Sequence, residues 1–365
     1  MPDSCKPQKV VACFVSPHGF GHASRTSAIL EALHEQEENL RIELFTQVPP
    51  WFFSRVPGQI GYHELDCDLG LIQTDALHPD LNATVAELGR RLPLDSQQIK
   101  NLGDTLRTLG CCAVICDIAP LGLAAAAAAK IPSVLVENFT WDWIYSGLAE
   151  STPALTPFSE LVAPLFNSAD LHIQTEPVCD PVTHAHRTGP VSRRPHQDAI
   201  TTRCQLGLNP DRPLVFVSMG GNPLDFPFAG RLRFEFTPFD FVVAGIGNRI
   251  NTQENVTFLP AKSSFYHPDL VHAADVVVGK VGYSTTAEVY EAGVPFGYVT
   301  REGYPEMEPL VRFLQQEVPG VPLGTNAYLD GSWLNQLPLL LSLKRRSRSG
   351  LRGATQCATL IRDLL

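Results

Sequence analysis

Two glycine-bearing turns in this chain carry residue types suited to acid–base and phosphate chemistry. The first is Pro17-His18-Gly19-Phe20-Gly21-His22, with Arg25 one helical turn further on. Imidazole titrates near neutrality, so His18 and His22 are suited to accepting and donating protons. A lone histidine here would read as a helix cap; two of them flanking Gly-Phe-Gly favour chemistry. The string lacks the third glycine of a dinucleotide fingerprint, and no Walker lysine follows it.

The second turn is Gly279-Lys280-Val281-Gly282-Tyr283-Ser284-Thr285-Thr286-Ala287-Glu288. Glycines let a backbone approach a ligand closely, and a helix N-terminus attracts phosphate. Ser284 and Thr285 add hydroxyl donors and Lys280 adds charge. Glu288, one turn into the helix, can accept hydrogen bonds from a ribose diol. The same residues also read as a capped helix start with a capping box. The polar loop Arg301–Pro309, with Glu306 and Glu308, follows a buried strand at the edge where α/β sheets bind ligands. That loop weighs toward a ligand site.

A base needs a partner that orients it and balances its charge. Asp117 closes the apolar run Ala113–Cys116 and is well placed for that part. Adjacent parallel strands would bring its carboxylate beside the first glycine turn. Its competing reading is a cap on the following helix. Asp66-Cys67-Asp68 has the spacing of a metal-binding DxD, but that reading is discounted in favour of solvated loop carboxylates. Gln73, Asp75, His78 and Asp80 could face an acceptor. Trp141 and Trp143 would share one face of an extended segment, for core packing or for stacking on a sugar ring.

The elements that must hold these residues are those of an α/β protein. Lys9–Ser16 (KVVACFVS) is a short apolar, β-branched run that reads as a buried parallel strand. A helical pattern follows from His22 to about Glu35, then a strand at Arg41–Phe45. The unit recurs with strands at Ala113–Cys116 and Ser133–Val136 around a helix containing Ala124–Ala129. From about Thr183 to Arg212 the composition turns to His, Arg, Pro and Gln, marking an interdomain linker. The α/β pattern then restarts with strands at Leu214–Ser218, Phe241–Ala244, Val256–Leu259 and Asp275–Val278. The turn Met219-Gly220-Gly221-Asn222-Pro223 follows the first of these. Two doubly wound domains facing each other are expected. The basic run Lys344-Arg345-Arg346-Ser347-Arg348 reads as a solvated helix end.

Composition narrows the function class. The chain has 365 residues, 28 Lys and Arg against 38 Asp and Glu, and a formal net charge of −10. Such a chain is a poor partner for nucleic acid. Its nine cysteines are scattered with no CxxC pair, so neither a zinc site nor a disulfide framework is expected. The N-terminus has no long apolar core, and Asp117, Lys130 and two prolines interrupt the stretch Cys111–Val136. No transmembrane segment and a cytoplasmic location are therefore expected.

The segment ADVVVGKVGYSTTAEVYEAGVPFGYVTREGYPEMEP resembles the donor-site motif of GT-B glycosyltransferases. It is most similar to the glycosyltransferase-like domain that precedes the sugar kinase in L-arabinokinases. SPHGFGHASR, LDCDLGLIQTD and ENFTWDWIY resemble that family too, so the likeness runs from about residue 10 to about residue 315. More distantly, the chain is similar to the peptidoglycan GlcNAc transferase and to the UDP-sugar hydrolase of pseudaminate synthesis. No kinase segment follows in this sequence, so the resemblance does not imply sugar-kinase activity.

The resemblance implies two Rossmann-like domains around a cleft. Residues 1–195 would form the acceptor and catalytic domain, 196–340 the nucleotide-sugar domain, and 341–365 a C-terminal helix that packs back on the first. It implies inverting, metal-independent transfer from a nucleotide-sugar to a hydroxyl of a small-molecule, lipid or glycan acceptor. The nucleotide-sugar is then a co-substrate, and no cofactor is required. His22 takes the part of the base, with His18 as the alternative and Asp117 as its partner. Glu288, with Thr285, takes the ribose. Glu308, and after it Glu306, takes the sugar hydroxyls. Ser218, Gly220 and Gly221 face the diphosphate, joined by Gly19, Gly21, Lys280, Gly282 and Ser284. The alternatives are a nucleotide-sugar hydrolase of the same fold and a non-catalytic nucleotide-sugar binder.

Overall fold

A computed structural model describes residues 8–74, 78–219 and 228–365. Asp75, Gly220 and Gly221 lie outside the described residues. The first sheet contains β1 (Lys9–Val15), β2 (Leu40–Thr46), β3 (Gln59–Glu64), β4 (Cys111–Asp117), β5 (Ser133–Glu137), β6 (Leu171–Thr175) and β7 (His186–Thr188). All its strands are parallel, in the order β3-β2-β1-β4-β5-β6-β7. The second contains β8 (Leu214–Ser218), β9 (Asp240–Ala244), β10 (Asn251–Gln253), β11 (Val256–Leu259), β12 (Val276–Lys280), β13 (Phe296–Val299) and β14 (Gly320–Leu323). Its order is β10-β11-β9-β8-β12-β13-β14, parallel except for the β10–β11 pair.

Each sheet reverses its winding once, between β1 and β4 in the first and between β8 and β12 in the second. Open α/β sheets bind ligands outside the carboxyl ends of the strands at such switch points. The register places Val15 beside Asp117 and Ser218 beside Gly279. The two glycine turns and their polar neighbours therefore leave the sheets at the two switch points. At Gly279 a Cβ would lie 2.1 Å from the Ser218 carbonyl oxygen, so only glycine permits β12 to pass β8 there.

Helices cover the sheets. In the first domain they are α1 (Phe20–Gln36), α2 (Leu81–Arg91), α3 (Ser96–Thr108), α4 (Pro120–Ala129), α5 (Trp141–Leu148) and α6 (Thr156–Phe166). The second has α7 (Ala199–Gln205), α8 (Ala229–Phe234), α9 (His267–Ala273), α10 (Tyr283–Ala292), α11 (Met307–Glu317), α12 (Thr325–Asp330) and α13 (Leu337–Ser342). The last helix, α14 (Gly353–Arg362), buries Ala354, Cys357, Ala358 and Ile361 in the same core as Val11 and Ile29 of the first domain.

Three local expectations are corrected. The segment 183–212 is no plain linker: β7 joins the first sheet and α7 packs beside α9. The basic run does not solvate a helix end. Arg345 donates to the carbonyls of His272 (3.1 Å) and Ala292 (3.3 Å), Arg346 to Gln316 (2.8 Å) and Arg348 to Tyr290 (3.0 Å). Those carbonyls belong to the last turns of α9, α10 and α11, where unpaired carbonyls and the helix dipole favour cations. Trp141 and Trp143 lie on a helix, so they diverge: Trp141 is buried and Trp143 half-buried. Among the described residues, no helix is long and apolar enough to cross a membrane.

Candidate active site

A cavity of about 450 Å³ opens between the two domains, within the size range of small-molecule sites. His18, His22 and Trp141 line it from the first domain. Ser218, Lys280, Ser284, Thr285 and Glu306 line it from the second. Among the described residues, its charged lining is Arg25, Arg55, Arg193, Lys280 and Arg301 against one carboxylate, Glu306. In a chain of charge −10 this is a local inversion of sign, which draws anions in.

His22 lies in the first turn of α1. Gly19, at φ 75°, turns the chain out of β1, and its position at the helix start carries no side-chain cap. Neither His18 nor His22 is therefore spent on capping α1. His22 Nδ1 stands 2.8 Å from Asp117 Oδ1. Asp117 does not cap α4, whose N-cap position is Ala119 and which has no side-chain cap. Burial would raise the Asp117 pKa, but Arg25 and the His22 hydrogen bond outweigh it and hold the group below its usual range. An ionised carboxylate only accepts, so Nδ1–H of His22 is the donor. A longer 3.3 Å approach of Arg25 Nη2 to the same nitrogen joins two donors and is no hydrogen bond. Among the described residues, Nε2 of His22 has no partner, which leaves it free to accept a proton at the cavity wall.

Arg25 completes the arrangement. It donates from Nε to Asp117 Oδ2 at 2.9 Å, from Nη2 to Oδ1 at 2.5 Å and from Nη1 to Asn138 Oδ1 at 2.8 Å. Thr26 Oγ1 adds a 3.1 Å bond to Asp117 Oδ2. The residue after Asp117, Ile118, is fully buried at φ 48°, a strained conformation for a β-branched side chain. Strain of this kind persists where the surroundings hold a functional group in place.

His18 packs edge-on to Trp141, with ring centroids 5.3 Å apart. Burial, with the nearby His22, Arg301 and Lys280 charges, pushes its pKa down to about 3. It is neutral at ordinary pH. Asp68, expected to be a solvated loop carboxylate, is instead buried. It accepts from Ser16 Oγ and, at 2.7 Å, from Trp141 Nε1. Burial raises its pKa to about 6 against those hydrogen bonds. Among the described residues, no group of three His, Cys, Asp or Glu side chains could hold a metal ion.

On the facing wall, α10 is preceded by Gly282, which gives it no side-chain cap, and the Ser284 and Thr285 hydroxyls line the cavity. No capping box forms. The structure departs from the resemblance at Glu288, which is 3% exposed and not part of the cavity lining. Its Oε2 lies 2.7 Å from His267 Nδ1 and its Oε1 3.2 Å from Arg193 Nη2. Both oxygens are committed to protein groups rather than open to a ribose. Burial opposes its charge, but His267 and Arg193 keep its pKa below the usual range. Nδ1–H of His267 thus donates to Glu288, and its Nε2 accepts from Ser218 Oγ at 3.0 Å. Glu288 reaches the cavity through His267.

The two loop carboxylates also stand differently toward the cavity. Glu308 is exposed on α11, paired to Arg312 at 2.5 Å, and not in the lining. Glu306 is 6% exposed, lines the cavity and pairs with Arg301 at 2.8 Å. Its Oε2 is buried without a partner. Gln73 lines the cavity and donates to Tyr304 Oη at 2.9 Å across the cleft. Asp80 caps α2 through Ala83 N and is not in the lining, nor is His78. Arg193 and His267 carried no motif in the sequence. The only signal for Arg193 was its place among the linker arginines.

No family model matches the chain. It is 27% identical over 364 residues to L-arabinokinase of Arabidopsis thaliana, covering 97% of this chain and 34% of that protein. The chain thus spans about a third of the length of this curated relative. Among solved structures it is similar to a UDP-glucosyltransferase from Polygonum tinctorium capable of glucosylating indoxyl. That match has a TM-score of 0.62 and 15% identity and covers 98% of both chains. The spinosyn forosaminyltransferase SpnP aligns with a TM-score of 0.61 at 14% identity, over 98% of this chain and 95% of that one. Medicago truncatula UGT71G1, complexed with UDP-glucose, aligns with a TM-score of 0.57 at 12% identity, over 98% and 93%. Two Rossmann-like domains with their switch points turned toward one cleft are the GT-B fold, and this chain has it.

Proposed function

We propose that the chain transfers a glycosyl group from a nucleotide-sugar to an acceptor hydroxyl, with inversion and without a metal. The observation that carries this reading is the cavity's pairing of opposite chemistries. A buried-carboxylate imidazole stands on one wall, and an uncapped helix N-terminus with two hydroxyls stands on the other. Nε2 of His22 takes the proton as the acceptor oxygen attacks the anomeric carbon. The bond from that carbon to the diphosphate oxygen breaks, and the nucleoside diphosphate leaves. Asp117 stabilises the imidazolium that forms.

The leaving diphosphate gathers negative charge. The start of α10, Ser284, Thr285 and Lys280 can meet that charge where it develops. The same groups supply the neutralisation that a metal ion supplies elsewhere. Among the described residues, the lining's carboxylate, Glu306, is paired with Arg301, which supports direct displacement with inversion over a covalent intermediate. Glu306 Oε2 instead suits a sugar hydroxyl. The UDP-glucose of a similar structure supports a uridine donor.

The test is a calorimetric and thermal-shift screen of the protein against UDP, GDP, dTDP and their sugars. One nucleotide class should raise the melting temperature, by about 2.7 kcal/mol of stabilisation at a hundredfold excess over Kd. A Ser284→Ala, Thr285→Val double variant should lose that shift. No stabilisation by any of them would contradict the reading.

A further inference from the structure

Tyr283 has no part in the transfer just described, yet it links the two walls of the cavity. It is the first residue of α10, on the second domain. Its hydroxyl donates to Thr175 Oγ1 at the end of β6 (2.7 Å) and accepts from the Val191 N–H (3.1 Å). Thr175 belongs to the first domain and Val191 to the segment that joins the two. The guanidinium carbon of Arg25, on α1, lies 4.7 Å from the centre of the Tyr283 ring.

Arg25 is held on every side. Its edges serve Asp117 and Asn138, and one face lies against Tyr283. A guanidinium is a planar fork, and its edge bonds hold only while its plane is fixed. Tyr283 supplies the flat surface that fixes it, and a desolvated cation against a ring is favourable in its own right. The fork sets the rotation of Asp117, and Asp117 Oδ1 sets the tautomer and tilt of His22. The chain of contacts therefore runs from the first turn of α10, where the donor diphosphate would sit, to the proton-accepting nitrogen.

We propose that Tyr283 is a positioning residue: it locks the His22–Asp117 pair through Arg25, so the pair is aligned only while α10 is docked against the first domain. Its effect on turnover rests on the glycosyl-transfer reading, but its effect on the geometry does not. A tyrosine that merely glued the domains together would change stability and donor binding without a selective effect on the imidazole.

The experiment uses the full-length chain with Tyr283→Leu, Tyr283→Phe and Arg25→Lys. One readout is the low-field imidazole N–H resonance of His22 in histidine-labelled protein, assigned by its loss in His22→Gln. The other is kcat and donor KM. Tyr283→Leu should lose or broaden the resonance and lower kcat at least about tenfold, with donor KM changed less than about threefold. Tyr283→Phe keeps the ring and should keep the resonance, with kcat within about threefold of the parent. Arg25→Lys keeps the charge but not the fork and should behave as Tyr283→Leu; it decides the matter if the leucine variant does not fold. An unchanged resonance in Tyr283→Leu or Arg25→Lys overturns the proposal, and so does a phenylalanine variant as defective as leucine. If the parent turns over no nucleotide-sugar, the transfer reading fails, and the resonance alone decides the part of Tyr283.

Discussion

His22 Nδ1 and Asp117 Oδ1 lie 2.8 Å apart although 95 residues separate them in the chain. The switch point between β1 and β4 produces the meeting, since it sets Val15 directly beside Asp117. Everything proposed about proton transfer depends on this pair.

Asp117→Asn keeps the shape of the pair but removes its charge. We expect kcat to fall by about 10²–10⁴-fold, the range for loss of a base's orienting carboxylate. Arg25 would then be buried without a countercharge, at a cost of about 3–5 kcal/mol of stability. Turnover and chemical denaturation measured on the same preparation check both effects. Wild-type turnover in the asparagine variant would contradict the pairing.

Glu288 is predicted to matter through His267 and Arg193. Glu288→Ala leaves Arg193 unpaired in the interior and should cost about 3–5 kcal/mol in urea unfolding. His267→Ala should weaken nucleoside-diphosphate binding and leave Arg193 paired, with a smaller stability loss. A Glu288→Ala protein of unchanged stability but lost nucleotide affinity would restore the direct ribose contact that the resemblance implies.

The two loop carboxylates should separate cleanly. Glu306→Gln should raise the donor KM or lower kcat about tenfold, the worth of one charged hydrogen bond. Glu308→Gln, on the exposed face of α11, should stay within about twofold. Equal effects would show that the loop closes differently around the donor.

Stability against pH carries two opposed signals. His18 has a folded pKa of about 3, below its ordinary 6.5, so the unfolded chain binds the proton first. Its contribution is present above about pH 6.5 and is lost as pH falls toward 3. Asp68 has a folded pKa of about 6, above its ordinary 3.8, so the folded chain binds the proton first. Its contribution is present below about pH 3.8 and is lost as pH rises through 6. Relative to the parent, His18→Asn should flatten the acid loss of stability. Asp68→Asn should remove the decline between pH 4 and 6. Unfolding free energies across pH 3–7 test both.

Much of the framework was legible because buried parallel strands are short apolar runs. KVVACFVS, AVIC and LVFVS each sit within a residue or three of the strands β1, β4 and β8. Asp117 stood out because it ends such a run. Edge strands such as β3 (QIGYHE) and β7 (HRT) are half-exposed and polar, so no apolar run marks them. The bidentate Arg25–Asp117 bond, the Asp68–Trp141 bond and the Glu288–His267 bond join residues that only the tertiary fold brings together. No spacing in the sequence encodes them. Glu288 illustrates the limit: its motif position matched a ribose contact, while the linker's Arg193 and the helix-starting His267 enclosed it.

The most direct test of the central claim is a comparison of the parent chain with His22→Ala. Each is incubated with the nucleotide-sugar that stabilises it, with and without a panel of hydroxyl acceptors, and released nucleoside diphosphate and new glycoside are quantified. The account predicts acceptor-dependent glycoside formation in the parent, reduced by at least about 10²-fold in the variant with nucleotide affinity unchanged. Undiminished turnover in His22→Ala, or release of free sugar that no acceptor diverts, would contradict it.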